Sequence, residues 1–88
     1  MDELRKQIDE YDNQIMTALD KRYDVVKQVA KYKEAHGLPV LQFDRMTQLV
    51  DRLTETYGSE NLSSDFIAQL YDLIMHHAIE LENETIDD

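Results

Sequence analysis

Eighty-eight residues with two Gly, one Pro and no Cys, 42% of them hydrophobic and 32% charged, fit one small domain over residues 1–88 and exclude a disulfide-stapled fold. The net charge of −10 argues against nucleic acid and anionic membrane as partners. No apolar run approaches a membrane span of about 18 residues, and Met1-Asp2-Glu3-Leu4 lacks the basic and apolar character of a leader, so a cytoplasmic protein is expected.

Residues 2–35 contain neither Gly nor Pro and read as one long helix, closed at His36-Gly37-Leu38-Pro39 where Gly caps and Pro blocks continuation. At 1.5 Å per residue this rod is about 50 Å long. A compact chain of this length has a radius of gyration of about 12 Å, so the rod must overhang its own globule by several turns. Along it Leu4, Tyr11, Ala18, Val25 and Tyr32 recur every seven residues, with Ile8, Ile15 and Val29 beside them. Such a seam requires another helix, and with too short a chain to provide one it predicts an intertwined homodimer. A second helix is expected over 44–57, with Asp44 as N-cap, Met46, Leu49, Val50, Leu53 and Tyr57 as its apolar face, and Gly58 as its stop. The third begins at Ser63 or Ser64 and runs to about Glu84, with a stripe of Phe66, Ile67, Leu70, Leu73, Ile74, Ala78 and Leu81. The expected fold class is all-α: three helices per chain, one very long, in an intertwined homodimeric helical bundle.

Charge is unevenly spread. All nine Lys and Arg fall in residues 1–52, whereas residues 53–88 carry nine acids and no Lys or Arg. On the first helix Arg5, Ile8, Asp12, Ile15, Leu19, Arg22, Val26, Val29 and Lys33 follow a three-four alternation, which sets three cations where periodicity asks for apolar side chains. A buried cation needs a counter-ion, a route to water or a ligand. Arg5 has Asp9 and Asp12 as local partners, Arg22 can snorkel, and Lys33 is near the helix end. Arg22 and Lys33 are three turns apart, about 16 Å between Cα atoms, so two long side chains leaning together leave a gap suited to a small dianion. Arg5 is about 25 Å from Arg22 along the same rod and reaches such a ligand only from an antiparallel partner. The deduced site is a small polyanion pocket inside a bundle, with one cation donated in trans. The adjacent His76 and His77 point about 100° apart on a helix and do not form a chelating pair, so no metal or other cofactor is expected.

Leu4-Arg5-Lys6-Gln7-Ile8-Asp9-Glu10-Tyr11-Asp12, Arg22 before Val25-Val26, Val29-Ala30-Lys31-Tyr32-Lys33, and Pro39-Val40 ahead of Asp44-Arg45 together resemble the all-helical class of chorismate mutases, over nearly the whole chain. The resemblance implies conversion of chorismate to prephenate, a step of aromatic amino-acid biosynthesis. It implies that Arg22 and Lys33, with Arg5 from the other subunit, grip the two carboxylates of chorismate, that Lys33 also reaches the ether oxygen, and that Arg45 lies near the same pocket. This unimolecular rearrangement needs no nucleophile, metal or proton shuttle, only confinement and donors where charge grows.

Four pocket positions depart from the family pattern. Gln42 stands for the usual Asp, Met46 for the Glu that takes the ring hydroxyl, Ala78 for Ser, and Glu82 for the Gln that donates to the ether oxygen. Glu82 can donate only when protonated; the fungal branch of the family also carries Glu there. Otherwise Glu82 reads as an exposed acid beside Glu80, Glu84, Asp87 and Asp88, and Met46 and Ala78 as core. Isochorismate pyruvate lyase, a relative on the same fold with an apolar residue after the corresponding Arg, is the alternative enzyme. A catalytically inert dimer acting as a binding or regulatory module is the non-enzymatic alternative.

Overall fold

The computed structural model describes residues 1–38 and 43–87, which form α1 (Asp2–Ala35), α2 (Phe43–Tyr57) and α3 (Ser64–Asp87). The long first helix ends where Gly37 adopts φ 66°, and the Leu38 amide donates to the Lys33 carbonyl at 2.8 Å while the Gly37 amide donates to that of Glu34 at 3.3 Å. This paired closure satisfies two carbonyls of the last turn and anchors the backbone of Lys33. α2 stops at Gly58, where an added Cβ would run into the Thr54 carbonyl oxygen. Ser63 caps α3, its Oγ accepting from the Phe66 amide at 3.1 Å.

Two boundaries differ from expectation. α2 starts at Phe43, one residue ahead of the expected cap Asp44. α3 continues past Glu84 to Asp87, since no Gly or Pro interrupts it and the Thr85 hydroxyl donates back to the Leu81 carbonyl at 2.8 Å.

Both α1 and α2 pack on α3, and among the described residues α1 and α2 do not pack on each other. α1 and α3 run in the same direction, because Tyr23 meets Ile74 and, further along both helices, Lys33 meets Glu82. The α1 residues covered by this packing are Leu19, Arg22, Tyr23, Val26, Ala30 and Lys33, all in the second half of the helix. Leu49, Ile67, Ile74 and Met75 complete the apolar interior with Ala30. Phe66, Leu70 and Leu73 of the expected α3 stripe, and Tyr57 of the α2 face, are exposed instead, because the first half of α1 has no helix of its own chain to lie on.

The molecule is drawn out. Its longest axis is 52 Å and its radius of gyration 15.7 Å, against about 12 Å for a compact chain of this length. The accessible surface of 7106 Å² for 10.4 kDa exceeds by about 1,700 Å² what a folded monomer of that mass exposes. Much of the excess is the seam on α1, where Leu4 is 59% and Tyr11 64% exposed.

Candidate functional site

Because α1 and α2 meet α3 without meeting each other, a gap remains between them, and a cavity of about 310 Å³ occupies it. α1 contributes Arg22, Val26, Val29 and Lys33, spaced by four, three and four residues so that all lie on one face. From the first turns of α2 come Arg45, Met46 and Leu49; from α3 come Met75, Ala78, Ile79 and Glu82. The cavity therefore gathers Arg22, Lys33, Arg45, Met46, Ala78 and Glu82 from positions up to 60 residues apart. Arg5 is not among them. It is exposed on the overhanging half of α1, and among the described residues it forms no ion pair with Asp9 or Asp12. Gln42 lies outside the described residues.

Glu82 is not the exposed acid that its acidic neighbourhood suggests. It is only 5% exposed, and its Oε1 accepts from Lys33 Nζ at 3.2 Å. Burying a carboxylate is costly without such a partner, so the ammonium stabilises it there and Glu82 in turn holds Lys33 at the cavity wall. Arg22 is half-buried, with its Nη1 shielded from solvent and no hydrogen-bond partner for it among the described residues. Its guanidinium carbon lies 5.8 Å from the ring centre of Tyr71 and 6.0 Å from that of Tyr23. Burial pushes the Tyr23 phenol above its ordinary pKa, opposed by the Arg22 cation and assisted by Tyr71. That hydroxyl donates to the Ile74 carbonyl at 3.1 Å.

Three cations and one acid thus face a cavity otherwise walled by aliphatic side chains and methionines, a local positive exception in a chain of net charge −10. Cations in partly desolvated surroundings bind carboxylates more strongly than they do in water, and an Arg can engage one in bidentate fashion. Met75 and Ile79 also line the space, and they escape a reading that follows charge. Their signal is register: 71, 75, 78, 79 and 82 share the face of α3 that carries Ala78 and Glu82. His76 and His77 stay outside the cavity, exposed, with the His77 ring edge-on to Tyr23 at 4.9 Å. No described helix is long and apolar enough to cross a membrane.

Residues 4–83 match the family of chorismate mutase type II, and the chain belongs to it; the family's enzymes are isomerases. Among similar proteins, a 4-amino-4-deoxychorismate mutase of Streptomyces venezuelae is 29% identical over 91% of this chain and 78% of its own. A chorismate mutase of Methanocaldococcus jannaschii is 26% identical over 98% of this chain and 87% of its own. An intracellular chorismate mutase of Mycolicibacterium smegmatis is 33% identical over 68% of this chain and 58% of its own. No solved structure is matched significantly.

Proposed function

We propose that this chain rearranges chorismate to prephenate in the cavity between its three helices, as a cytoplasmic homodimer. The observation that carries the reading is the cation set Arg22, Lys33 and Arg45 lining one cavity, with Arg22 Nη1 buried and without a hydrogen-bond partner among the described residues. In the reaction one carbon–oxygen bond breaks as one carbon–carbon bond forms within a single molecule, so no group must be transferred to or from the protein. The protein's work is to fold the enolpyruvyl arm over the ring and to stabilise negative charge on the departing ether oxygen. Arg22 and Arg45, with Arg5 of the partner subunit, hold the carboxylates. Lys33 serves both a carboxylate and the ether oxygen, and Glu82 stands beside it at that end of the cavity. Met46 and Ala78 pack against the ring, and Gln42 completes the set of substrate-binding residues.

Met46 directly after Arg45 favours a second reading, isochorismate pyruvate lyase, because a thioether is a poor acceptor for a ring hydroxyl. The 4-amino analogue of chorismate, named in one relative, presents the same carboxylates and ether, so these cations alone do not reject it. Steady-state assays with chorismate, isochorismate and 4-amino-4-deoxychorismate, from acidic to neutral pH, separate these outcomes. Prephenate from chorismate is expected, and Arg22→Ala should lower kcat/KM by about a hundredfold or more with the fold retained. Pyruvate and salicylate from isochorismate alone would establish the lyase instead. Tight binding of chorismate with no turnover of any substrate would leave a binding module.

A further inference from the structure

Arg22 and Lys33 face the same cavity but are held in opposite ways. Lys33 Nζ is engaged by a carboxylate, that of Glu82, at 3.2 Å. Arg22 is held by aromatic faces, with the Tyr71 ring centre 5.8 Å and the Tyr23 ring centre 6.0 Å from its guanidinium carbon. The difference matters for an anionic ligand. A carboxylate partner occupies the N–H fork that an incoming carboxylate needs. An aromatic ring attracts the guanidinium through its quadrupole without occupying its N–H groups, and Nη1 has no hydrogen-bond partner among the described residues.

Neither tyrosine is among the residues that line the cavity. Tyr23 is fixed from behind, its hydroxyl donating to the Ile74 carbonyl and its ring edge-on to His77. Tyr71, half-buried on α3, reaches the cation from the opposing helix. Without that second ring a long, flexible side chain has only its own neighbour to restrain it, and ligand binding must then supply the ordering. We propose that Tyr71 is a positioning residue, whose ring holds the Arg22 guanidinium between α1 and α3 with its N–H edge left for a substrate carboxylate. The proposal rests on the reading of Arg22 as a carboxylate ligand.

A fluorination series tests it, because fluorine withdraws charge from the ring face with little change of shape, so every member packs alike. Phenylalanine, 4-fluoro-, 3,4,5-trifluoro- and pentafluorophenylalanine are placed at position 71, in the wild-type and Arg22→Ala backgrounds, and prephenate formation is measured. Tyr71→Phe should keep KM within about twofold of the parent, and successive fluorines should raise it stepwise to about tenfold, the range of a desolvated cation–π contact. The turnover number should stay within about twofold, since binding common to ground and transition states is what is lost. In the Arg22→Ala background the series should be flat. If Arg22→Ala raises KM but fluorination leaves KM unmoved in the wild-type background, Tyr71 only packs and the proposal fails while the reading of Arg22 stands. If Arg22→Ala itself changes neither KM nor turnover, that reading falls and takes the proposal with it.

Discussion

At the scale of single residues the informative pair is Lys33 with Glu82, a cation and an acid both withdrawn from solvent at 3.2 Å. Deleting Lys33 takes from the buried Glu82 carboxylate its ammonium partner, so truncation mixes a stability loss with any loss of chemistry. Glu82→Gln avoids that confusion. Its amide oxygen still accepts from Lys33, and its amide N–H donates at every pH, whereas the carboxyl donates to an ether oxygen only when protonated. In Glu82→Gln activity at neutral pH should rise by about tenfold, within the span of a single positioned donor. Steady-state rates of the two proteins check this, and an unchanged rate would remove Glu82 from the chemistry. The site's cations were legible in the sequence because a charge at a seam position demands an explanation. The hold on Arg22 was not, because Tyr23 and Tyr71 at helical spacing look the same whether a ring packs on aliphatic groups or on a guanidinium.

At the scale of elements, α1 has two apolar faces with different fates. One, through Leu19, Val26 and Ala30, meets α3; the other, through Leu4, Ile8, Tyr11, Ile15 and Val25, is exposed, and Tyr32 at its end stacks on His36. Ala30 is 0% exposed, and its small side chain sets how closely α1 approaches α3. Ala30→Leu adds three carbons where there is no room, which should destabilise the protein by about 1–3 kcal/mol. Forcing the helices apart also stretches the contact between Lys33 and Glu82, so activity per folded molecule should fall with it. Chemical denaturation together with rates normalised to the folded fraction checks both, and a fully active, equally stable variant would mean that α1 can slide freely. The three helices and their breakers were legible because Gly37, Gly58 and Ser63 each have a local physical task. The exact ends were not, since an acid such as Asp44 suits a cap and a first turn alike, and nothing in a run of polar residues says where a helix frays. Nor could stripe periodicity separate Leu73, which is exposed, from Ile74, which is buried, because that depends on which helices the chain itself can bring near.

For the whole molecule, the exposed seam and the position of Arg5 point to one arrangement. A 52 Å body with an apolar stripe along its protruding helix has a strong drive to bury that stripe, and the excess surface of about 1,700 Å² is of the order that a stable interface removes. If two copies cross antiparallel along α1, the overhanging half of each lies over the other's α2 and α3, and Arg5 of the partner subunit comes to the cavity that its own chain cannot reach. Each of the two sites then contains residues from both chains. Arg5→Ala homodimers and Arg22→Ala homodimers should both be nearly inactive. In a mixed dimer, one site takes its Arg22 from the Arg5→Ala chain and its Arg5 from the Arg22→Ala chain, so that site is intact and the other doubly defective. Statistical exchange makes half of all dimers mixed, so activity should return to about a quarter of the wild-type level per chain, whereas sites confined to single chains return none. Subunit exchange is verified by mass spectrometry of differently tagged copies before rates are read. Exchange without recovery would show that Arg5 acts within its own chain or not at all, and would leave the seam as packing without a share in the site.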